Sequence, residues 1–309
     1  MSGARNGAVV LSGVSKWFGD VVAVSEVSLS FAPGVTALLG PNGAGKSTVL
    51  RLIAGLARPS EGTVRVVGHD PTKGGEAARA IGIAPQQEAM FERYTAVEFV
   101  TVAAVLHGLD RPSEAAERAV ARAGLDPALD RPIATFSKGM RQRTKLAQAL
   151  VNDPRVMLLD EPLNGLDPRG REEMIATFSG LAEEGRVVIV SSHVLEEVER
   201  IGTRIAVIAR GREPAEGDFR EVRALLDDRP LRVRIASDRP AAMAAELLRS
   251  GLCVGARLGD ADRIEVETQS PVELRAGVLA CAARADAVVS EFVPLDDDLE
   301  SVFRYLVAD

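Results

Sequence analysis

The sequence has 309 residues, of which 46% are hydrophobic and 26% charged, as in soluble globular proteins large enough to hold two domains. Its 44 acidic residues outnumber 37 basic ones, the formal net charge is −7, and no basic stripe indicates a nucleic-acid partner. No apolar run reaches the roughly 18 residues that span a bilayer, and the N-terminus lacks the apolar segment of a signal peptide, so we expect a cytoplasmic protein that meets membranes only through a partner.

The first 68 residues are dominated by apolar alternation, which predicts half-buried strands around one fully buried strand. The alternating segments are VVLSGVSKWF (9–18), VAVSEVSLSF (22–31) and TVRVVG (63–68), and the continuous apolar segment is VTALLG (35–40). A helix is predicted over 47–57, where apolar groups recur at helical spacing and stop near Gly55 and Pro59.

Beyond residue 96 the pattern changes to helices, and then to alternating strands and helices. Helices are predicted at 97–107, 113–124 and 138–152, the second with Ser113 as its N-cap. Buried strands at 156–160, 186–192 and 204–211 alternate with helices after Pro168 and from about 194. Parallel strands joined by helices indicate an α/β domain.

A Pro/Gly-bearing break at 211–217 precedes a different order of elements, so we predict domains over 1–215 and 216–309. Strands at 231–237, 253–259, 263–269 and 287–293 and helices at 239–250, 271–284 and from 296 follow. This βαββαβ order plus a helix predicts a small α+β domain of the split βαβ, ferredoxin-like kind. Its cysteines, Cys253 and Cys281, have no second Cys/His cluster and are predicted to be reduced core residues.

Residues 40–47, GPNGAGKS, match the pattern G-x-x-x-x-G-K-[ST] between a predicted strand and a predicted helix. Glycines let the backbone form a concavity whose N–H groups point inward, and the positive end of the helix adds to it, so the loop predicts a nucleoside triphosphate site. Lys46 would reach the β/γ-phosphates and Ser47 would ligate Mg²⁺. The predicted contacts of the loop are Gly40, Pro41, Asn42, Gly43, Ala44, Gly45, Lys46, Ser47 and Thr48. A turn that binds nothing is the alternative, and Lys46 and Ser47 together argue against it.

Two carboxylates end the predicted strand in RVMLLDEPLNGLDP (155–168). A strand end places Asp160 where it can hold Mg²⁺ through water, and Glu161 follows, free to polarise an attacking water. An isolated Asp-Glu pair is often a helix cap or a solvated turn. Paired with the loop at 40–48, it predicts the second half of an ATP-hydrolysing site.

These two motifs, with TFSKGMRQR at 135–143, resemble the ATPase subunit of ABC transporters over about residues 8–212. The resemblance implies a P-loop cassette with a mixed, mainly parallel sheet, an antiparallel part and a helical subdomain at about 87–153. It also implies roles for four further residues. Phe18 would stack on adenine, with Trp17 as the rival; Gln86 would contact Mg²⁺ and face the membrane partner; Asp167 would bridge the dimer; and His193 would contact the γ-phosphate.

The segment at 136–140 differs from the family's commonest motif, Leu-Ser-Gly-Gly-Gln, because Lys138 and Met140 replace a Gly and a Gln. Ser137 and Gly139 are retained, and they are the residues that must present a hydroxyl and a backbone N–H at a helix start. The SKGM motif, and Asn164 ahead of Gly165, resemble the corresponding residues in the branch of ATPases that serves drug, lipid, haem or polysaccharide exporters.

The family resemblance implies that two copies form a head-to-tail dimer, each ATP held between one subunit's loop at 40–48 and the other's Ser137. Glu161 would act as general base or water-orienting group, and His193 and Lys46 would stabilise the transition state. A separate membrane permease would dock near residues 87–100. For the C-terminal domain, dimer stabilisation or regulation and a passive lid are both open. The competing function classes are a soluble ABC-type ATPase in a non-transport role and a nucleotide-binding scaffold without hydrolysis, which would lack the equivalents of Glu161 and His193.

Overall fold

The chain divides into two units, Met1–Asp218 and Phe219–Asp309. The structure, a computed structural model, describes residues 8–87, 90–194, 197, 200–201, 204–218, 231–259 and 262–295. The division falls three residues after the boundary predicted at 215/216. Which task each unit performs stays a prediction.

The described strands of the first unit form two sheets. They are β1 (Val9–Phe18), β2 (Val21–Val27), β3 (Ser30–Phe31), β4 (Gly34–Leu39), β5 (Glu61–Val66), β6 (Ile81–Ala84), β7 (Val156–Asp160), β8 (Val187–Ser192), β9 (Arg204–Ala209) and β10 (Arg212–Asp218). In the antiparallel sheet, β1 pairs with β2, β3 and β5. The other sheet has the order β10-β9-β4-β8-β7-β6, with β10 antiparallel to β9 and the rest parallel. The predicted cassette with a mixed sheet and an antiparallel part is thus confirmed.

The described α-helices of this unit connect and cover the sheets. They are α1 (Lys46–Ile53), α2 (Glu76–Arg79), α3 (Ala96–Leu106), α4 (Pro112–Arg122), α5 (Lys138–Leu150) and α6 (Pro168–Glu183). A capping box starts α3, because Thr95 Oγ1 accepts from the Glu98 N–H while Glu98 Oε2 accepts from the Thr95 N–H. The helices α3, α4 and α5 pack on one another within the predicted helical subdomain.

The central strands are buried on both faces of the six-stranded sheet. In β7, Met157 and Leu159 pack into a cluster with the helical subdomain and α6, whereas Val156 and Leu158 pack into a cluster with α1 and the antiparallel sheet. A strand with two buried faces is continuously apolar, as parallel strands covered on both sides are. This arrangement exposes only the ends of the strands to ligands.

Four predictions about local structure were wrong in detail. Helix α1 ends at Ile53 rather than 57, because Gly55 adopts φ 72°. The segment 22–31 forms two strands, β2 and β3, rather than one. The break follows Val27, next to Glu26, which adopts φ 55°. Ser113 is not an N-cap; Arg111 holds that position and Pro112 is the first helical residue, where a missing N–H is tolerated.

The fourth error concerns the predicted break at 211–217, which is the edge strand β10. An edge strand accepts Pro214 because one side of its backbone needs no partner. Of the predicted helix from about 194, the structure describes Glu197, Arg200 and Ile201, all helical.

The second unit is an antiparallel sheet with two helices. Its described elements are β11 (Leu231–Ser237), α7 (Pro240–Arg249), β12 (Gly255–Leu258), β13 (Arg263–Thr268), α8 (Pro271–Arg284) and β14 (Val289–Pro294). The strand order β12-β13-β11-β14 is that of the split βαβ arrangement, which confirms the predicted α+β class. Cys253 and Cys281 are free thiols in its core. The predicted helix from 296 lies outside the described residues.

Candidate active site

Four neighbouring parallel strands deliver the predicted site residues to one edge of the six-stranded sheet. Strand β4 ends at Leu39 just before the glycine-rich loop, β7 ends at Asp160, β8 ends at Ser192, and β6 ends at Ala84. Because the carboxyl ends of adjacent parallel strands meet at the same edge, the loops that follow them converge there. Segments separated by more than 100 residues of chain therefore form one site.

The loop at 40–48 encloses one side of a cavity of about 430 Å³. Gly43 and Gly45 adopt φ 81° and 108°, and a Cβ at Gly45 would lie 2.6 Å from the carbonyl oxygen of Ala23. Glycine is thus required at position 45 both by conformation and by space. The first turn of α1 carries no acidic side chain, so its N–H groups and dipole favour an anion at this end.

Lys46 is the buried cation of the cavity. Its Nζ donates to the carbonyl oxygens of Gly40 at 2.6 Å and Pro41 at 3.2 Å, and it lies 3.6 Å from Glu161 Oε1. Burial lowers the pKa of Lys46 from its ordinary value near 10.5, while the charges of Glu161 and Asp160 oppose that change. The ammonium is therefore held in the cavity wall next to the loop that would cradle phosphates.

Glu161 bridges Lys46 and His193. Its Oε2 lies 2.8 Å from His193 Nδ1 while Oε1 faces Lys46 Nζ. Glu161 adopts φ 52°, an uncommon conformation for a residue with a side chain and one that concentrates at functional sites. The carboxylate is buried at the wall of the cavity.

Ser191 is a residue of the site that the sequence did not single out. Its hydroxyl donates to Asp160 Oδ1 at 2.6 Å and accepts from the Glu161 N–H at 2.9 Å. Asp160 and Ser191 are register partners on β7 and β8, which accounts for the contact. The sequence indicated Ser191 only by its position, at the end of the apolar run before His193.

The cavity brings together most of the predicted loop, together with residues from other elements. Its lining consists of Val21, Val22, Ala23, Pro41, Asn42, Gly43, Ala44, Gly45, Lys46, Ser47, Thr48, Gln86 and Glu161. Gly40 supports the loop from behind, because a Cβ there would overlap the carbonyl oxygen of Ile208. His193 and Asp160 join the site through Glu161 and Ser191 rather than by lining the cavity. The sequence had not indicated Val21 or Val22.

Phe18 and Trp17 lie opposite those two valines. In the β1–β2 pair, Phe18 faces Val21 and Trp17 faces Val22, and the aromatic side chains are 51% and 41% exposed. Lys16 Nζ lies 4.8 Å from the centre of the Phe18 ring. Either ring is available for stacking, so the choice between them stays open.

Ser137, Gly139 and Asp167 form a second group away from the cavity lining. Ser137 caps α5, its Oγ accepting from the Met140 N–H at 3.3 Å, and Asp167 caps α6 by accepting from the Gly170 N–H at 3.1 Å. The two caps are neighbours, since Leu166 lies against Gly139 and the side chain of Lys138 lies over Gly165. Both helix starts present polar groups on the surface.

The donor set suits Mg²⁺ only in combination with phosphate oxygens. Among the described residues no cluster of three or more His, Cys, Asp or Glu side chains could hold a metal ion. Mg²⁺ commonly takes one or two protein ligands and completes its shell with substrate phosphates and water. Ser47 in the cavity and Asp160 beside it offer such a pair of oxygens.

Comparison with known proteins identifies the family. The family model described as "ABC transporter" matches residues 24–164. The daunorubicin/doxorubicin resistance ATP-binding protein of Streptomyces peucetius is 35% identical over 306 residues, covering 97% of this chain and 92% of that protein. The chain belongs to the ABC transporter ATP-binding protein family. Its P-loop cassette is therefore an ABC ATPase domain that binds ATP, as the motifs predicted.

Two further comparisons bear on this cassette. The Nod factor export ATP-binding protein I of Sinorhizobium fredii is 40% identical over 225 residues, and the match spans 72% of this chain and 65% of that relative's length. A solved dimeric structure of a post-hydrolysis ATP-binding cassette with ADP and Pi is 26% identical, with a TM-score of 0.61 over 68% of this chain and 98% of that one. Within the described part of our cassette and its companion unit, no helix combines the length and hydrophobicity needed to traverse a bilayer.

Proposed function

We propose that the chain is the ATP-hydrolysing subunit of an ABC exporter, acting as a nucleotide-sandwiched homodimer on a separate membrane permease. The observation that carries this proposal is the Glu161 carboxylate held between Lys46 and His193 at the wall of the P-loop cavity. A scaffold that only bound nucleotide would have no need of a base next to the phosphate cradle. The arrangement therefore supports hydrolysis rather than binding alone.

In the proposed mechanism, the N–H groups at 40–48 and Lys46 hold the β- and γ-phosphates. Glu161 accepts a hydrogen bond from the attacking water and orients it toward the γ-phosphorus. His193, fixed by Glu161, donates to the γ-phosphate oxygens, and Lys46 helps to stabilise the charge that develops there. Mg²⁺, held by Ser47, Gln86 and Asp160 directly or through water, would neutralise phosphate charge. Cleavage yields ADP and phosphate, whose mutual repulsion favours opening.

The dimer would complete the site with Ser137 and Gly139 of the partner copy. These two residues and Asp167 are exposed or half-buried at helix starts outside their own subunit's cavity lining. A helix start offers N–H groups and positive potential to an anion. A head-to-tail C₂ dimer would bring each such start to the other copy's ATP, and the similar cassette with ADP and Pi is dimeric.

The permease would dock near residues 87–100. Within the described part of that segment, Phe91 and Tyr94 are exposed, with ring centres 5.4 Å apart, and Phe91 lies 5.9 Å from Phe99. Exposed aromatic clusters are typical of protein interfaces. Export is favoured because the names of two similar proteins refer to drug resistance and to Nod factor export. The protein would then lie at the inner face of the cell membrane.

The test of the proposal is nucleotide-dependent dimerisation together with partner capture. Light scattering should detect a dimer of the Glu161→Gln variant in MgATP and a monomer in MgADP, whereas Lys46→Ala should stay monomeric in both. Capture from membranes should yield one integral membrane protein with about six helices, and transport assays with that protein would identify the cargo. Dimerisation and turnover without any membrane partner would instead favour the soluble, non-transport ATPase.

For the C-terminal unit we propose dimer stabilisation or regulation, with a passive lid as the alternative. Truncation should follow Asp218, because an earlier cut would remove part of the edge strand β10. Reduced dimerisation or altered ATPase activity in the truncated protein would support an active role. Unchanged ATPase activity and unchanged partner binding would support the passive one.

A further inference from the structure

Lys145 is a lysine on the buried face of α5. Its side chain is 4% exposed, and the adjacent residues Thr144 and Leu146 are buried as well. Taking an ammonium group out of water is unfavourable unless hydrogen bonds replace the lost hydration. An apolar residue would fill this position at lower cost to stability, so the reason for a lysine lies in the contacts that its Nζ makes.

Those contacts join α5 to the loop after β6. Lys145 Nζ donates to the carbonyl oxygen of Pro85 at 2.8 Å and to that of Gln86 at 3.3 Å. Pro85 and Gln86 directly follow the last residue of β6. Because these two acceptors are main-chain oxygens, the ammonium constrains the backbone path of the loop.

The helix that carries Lys145 packs closely against β6. One helical turn after Lys145, the carbonyl oxygen of Ala149 lies so close to Gly82 of β6 that a Cβ at Gly82 would overlap it. The close approach fixes the level of α5 along the strand. Lys145 is therefore held beside the end of β6, where its hydrogen bonds define how the chain leaves the sheet.

The loop that Lys145 holds carries Gln86, which lines the nucleotide cavity together with Lys46 and Glu161. We propose that Lys145 is a positioning residue, which keeps the Gln86 backbone where the glutamine can reach bound MgATP. Lys145 does not line the cavity itself, so its effect on turnover would pass through Gln86. Residues that act as one unit in this way produce non-additive effects when both are changed.

The same lysine connects the two surfaces that the proposed dimer uses. Ser137, the N-cap of α5, lies about 12 Å along the helix axis from Lys145 at 1.5 Å per residue. In the dimer, Ser137 would contact the partner's ATP while Gln86 contacts the ATP of its own subunit. The inference rests on the proposed function in this respect. Helix α5 would then contact one ATP through Ser137 and hold the loop of the other site through Lys145.

The test is a double-mutant cycle on the full-length protein, with Lys145→Met, Gln86→Ala and the combination. Misplacement of a catalytic-site group by about 1 Å can cost up to about 100-fold in rate, so we expect Lys145→Met to lower kcat about tenfold or more. The KM for MgATP should change by less than about threefold, because the phosphate cradle is untouched. In the Gln86→Ala background, Lys145→Met should lower kcat by less than about twofold.

The matched control is Leu146→Ala, which opens a cavity in the packing around the same helix and keeps the Lys145 ammonium. Rates are normalised to the concentration of MgATP-binding sites, so that loss of folded protein does not count as loss of catalysis. Amide hydrogen exchange at Gln86 and Gln87 should quicken in Lys145→Met and not in Leu146→Ala. If Lys145→Met does not fold, Lys145→Gln, whose shorter neutral side chain cannot reach both carbonyls, replaces it.

A wild-type kcat for Lys145→Met, or an equal loss in both backgrounds, would overturn the positioning role even though the wild type hydrolyses ATP. Wild-type protein without MgATPase activity would instead contradict the proposed function. The two failures are thus distinguishable within one set of assays.

Discussion

The Ser191 hydroxyl donates a 2.6 Å hydrogen bond to Asp160 Oδ1. The hydroxyl oxygen also accepts from the Glu161 N–H, so one small side chain fixes both the carboxylate proposed for Mg²⁺ and the backbone of the proposed base. Ser191 thereby connects the ends of β7 and β8, and it orients Asp160 and Glu161 relative to each other. Removing one oxygen atom should disturb two functional groups at once.

Ser191→Ala should lower the ATPase rate and destabilise the cassette. Each lost hydrogen bond contributes about 0.5–1.5 kcal/mol to the free energy of unfolding, and the misplaced base should slow turnover about tenfold or more. Steady-state ATPase assays and denaturant unfolding measure the two effects. Ser237→Ala is the control, since this buried serine of the C-terminal unit also accepts from a backbone N–H. Full ATPase activity of Ser191→Ala would contradict the prediction that Ser191 positions Asp160 and Glu161.

Glu161→Gln should leave MgATP binding intact and slow hydrolysis by about 10²–10⁴-fold, the range typical of losing a positioned base. Glutamine keeps the size of the side chain but cannot accept the proton. Single-turnover hydrolysis of bound ATP measures the chemical step, with the exposed Glu183→Gln on α6 as the control. Near-normal turnover would show that another group performs the role assigned to Glu161.

Lys46→Ala should raise the dissociation constant for ATP at least about tenfold, because hydrogen bonds to charged groups contribute about 1.5–3 kcal/mol each. Equilibrium titration with ATP is the measurement. Lys73→Ala removes an exposed lysine outside the cavity lining and should bind as the wild type does. Equal affinities for Lys46→Ala and wild type would contradict the proposed phosphate site.

Phe18→Ala should weaken ATP binding by about 1–3 kcal/mol if Phe18 stacks on the base. Trp17 is the only tryptophan of the chain, so its fluorescence reports on the same surface without a label. Strong quenching by ATP together with an unchanged affinity of Phe18→Ala would assign the stacking to Trp17. Weak quenching and a loss of affinity would assign it to Phe18.

Asp153→Asn should destabilise the first unit by at most about 1 kcal/mol at neutral pH, since surface ion pairs contribute little. Arg186, 2.6 Å away, lowers the pKa of Asp153 below its ordinary 3.8. A carboxyl with a lowered pKa stabilises the folded state fully above 3.8 and loses that contribution as the pH falls through the folded value. The melting temperatures of wild type and variant should therefore converge in acid. A difference in melting temperature that persisted at low pH would contradict this origin. An equal difference at neutral pH for the exposed Asp130→Asn control would contradict it as well.

The nucleotide loop and the strand that ends at Asp160 were predictable because local chemistry determines both. Glycines, Lys46 and Ser47 at fixed spacing, and an apolar run that ends in acids, are patterns that few sites besides phosphate and metal sites require. Ser191 and Lys145 were not predictable in this way, because a serine after an apolar run or a lysine on a helix has many possible environments. Their contacts depend on which strands and helices become neighbours in the folded chain.

The errors in local structure have a similar cause. Ser113 has the stronger intrinsic preference for an N-cap, but Pro112 suits the first helical position and moves the N-cap of α4 two residues back, from 113 to 111. The segment 211–217 carries Gly and Pro, yet β9 offers a free edge on which it forms β10. In both places, a competing local preference or a distant partner outweighed the composition of the segment.

The valines at 21 and 22 have a consequence for which nucleotides the enzyme accepts. Aliphatic groups can pack against any purine, but they cannot distinguish the amino group of adenine from the oxo group of guanine. We expect the base of a bound nucleotide to pack against these valines of the cavity lining, and such a wall would discriminate weakly between purines. Turnover should therefore follow the relative cellular abundance of ATP and GTP more than any preference of the protein.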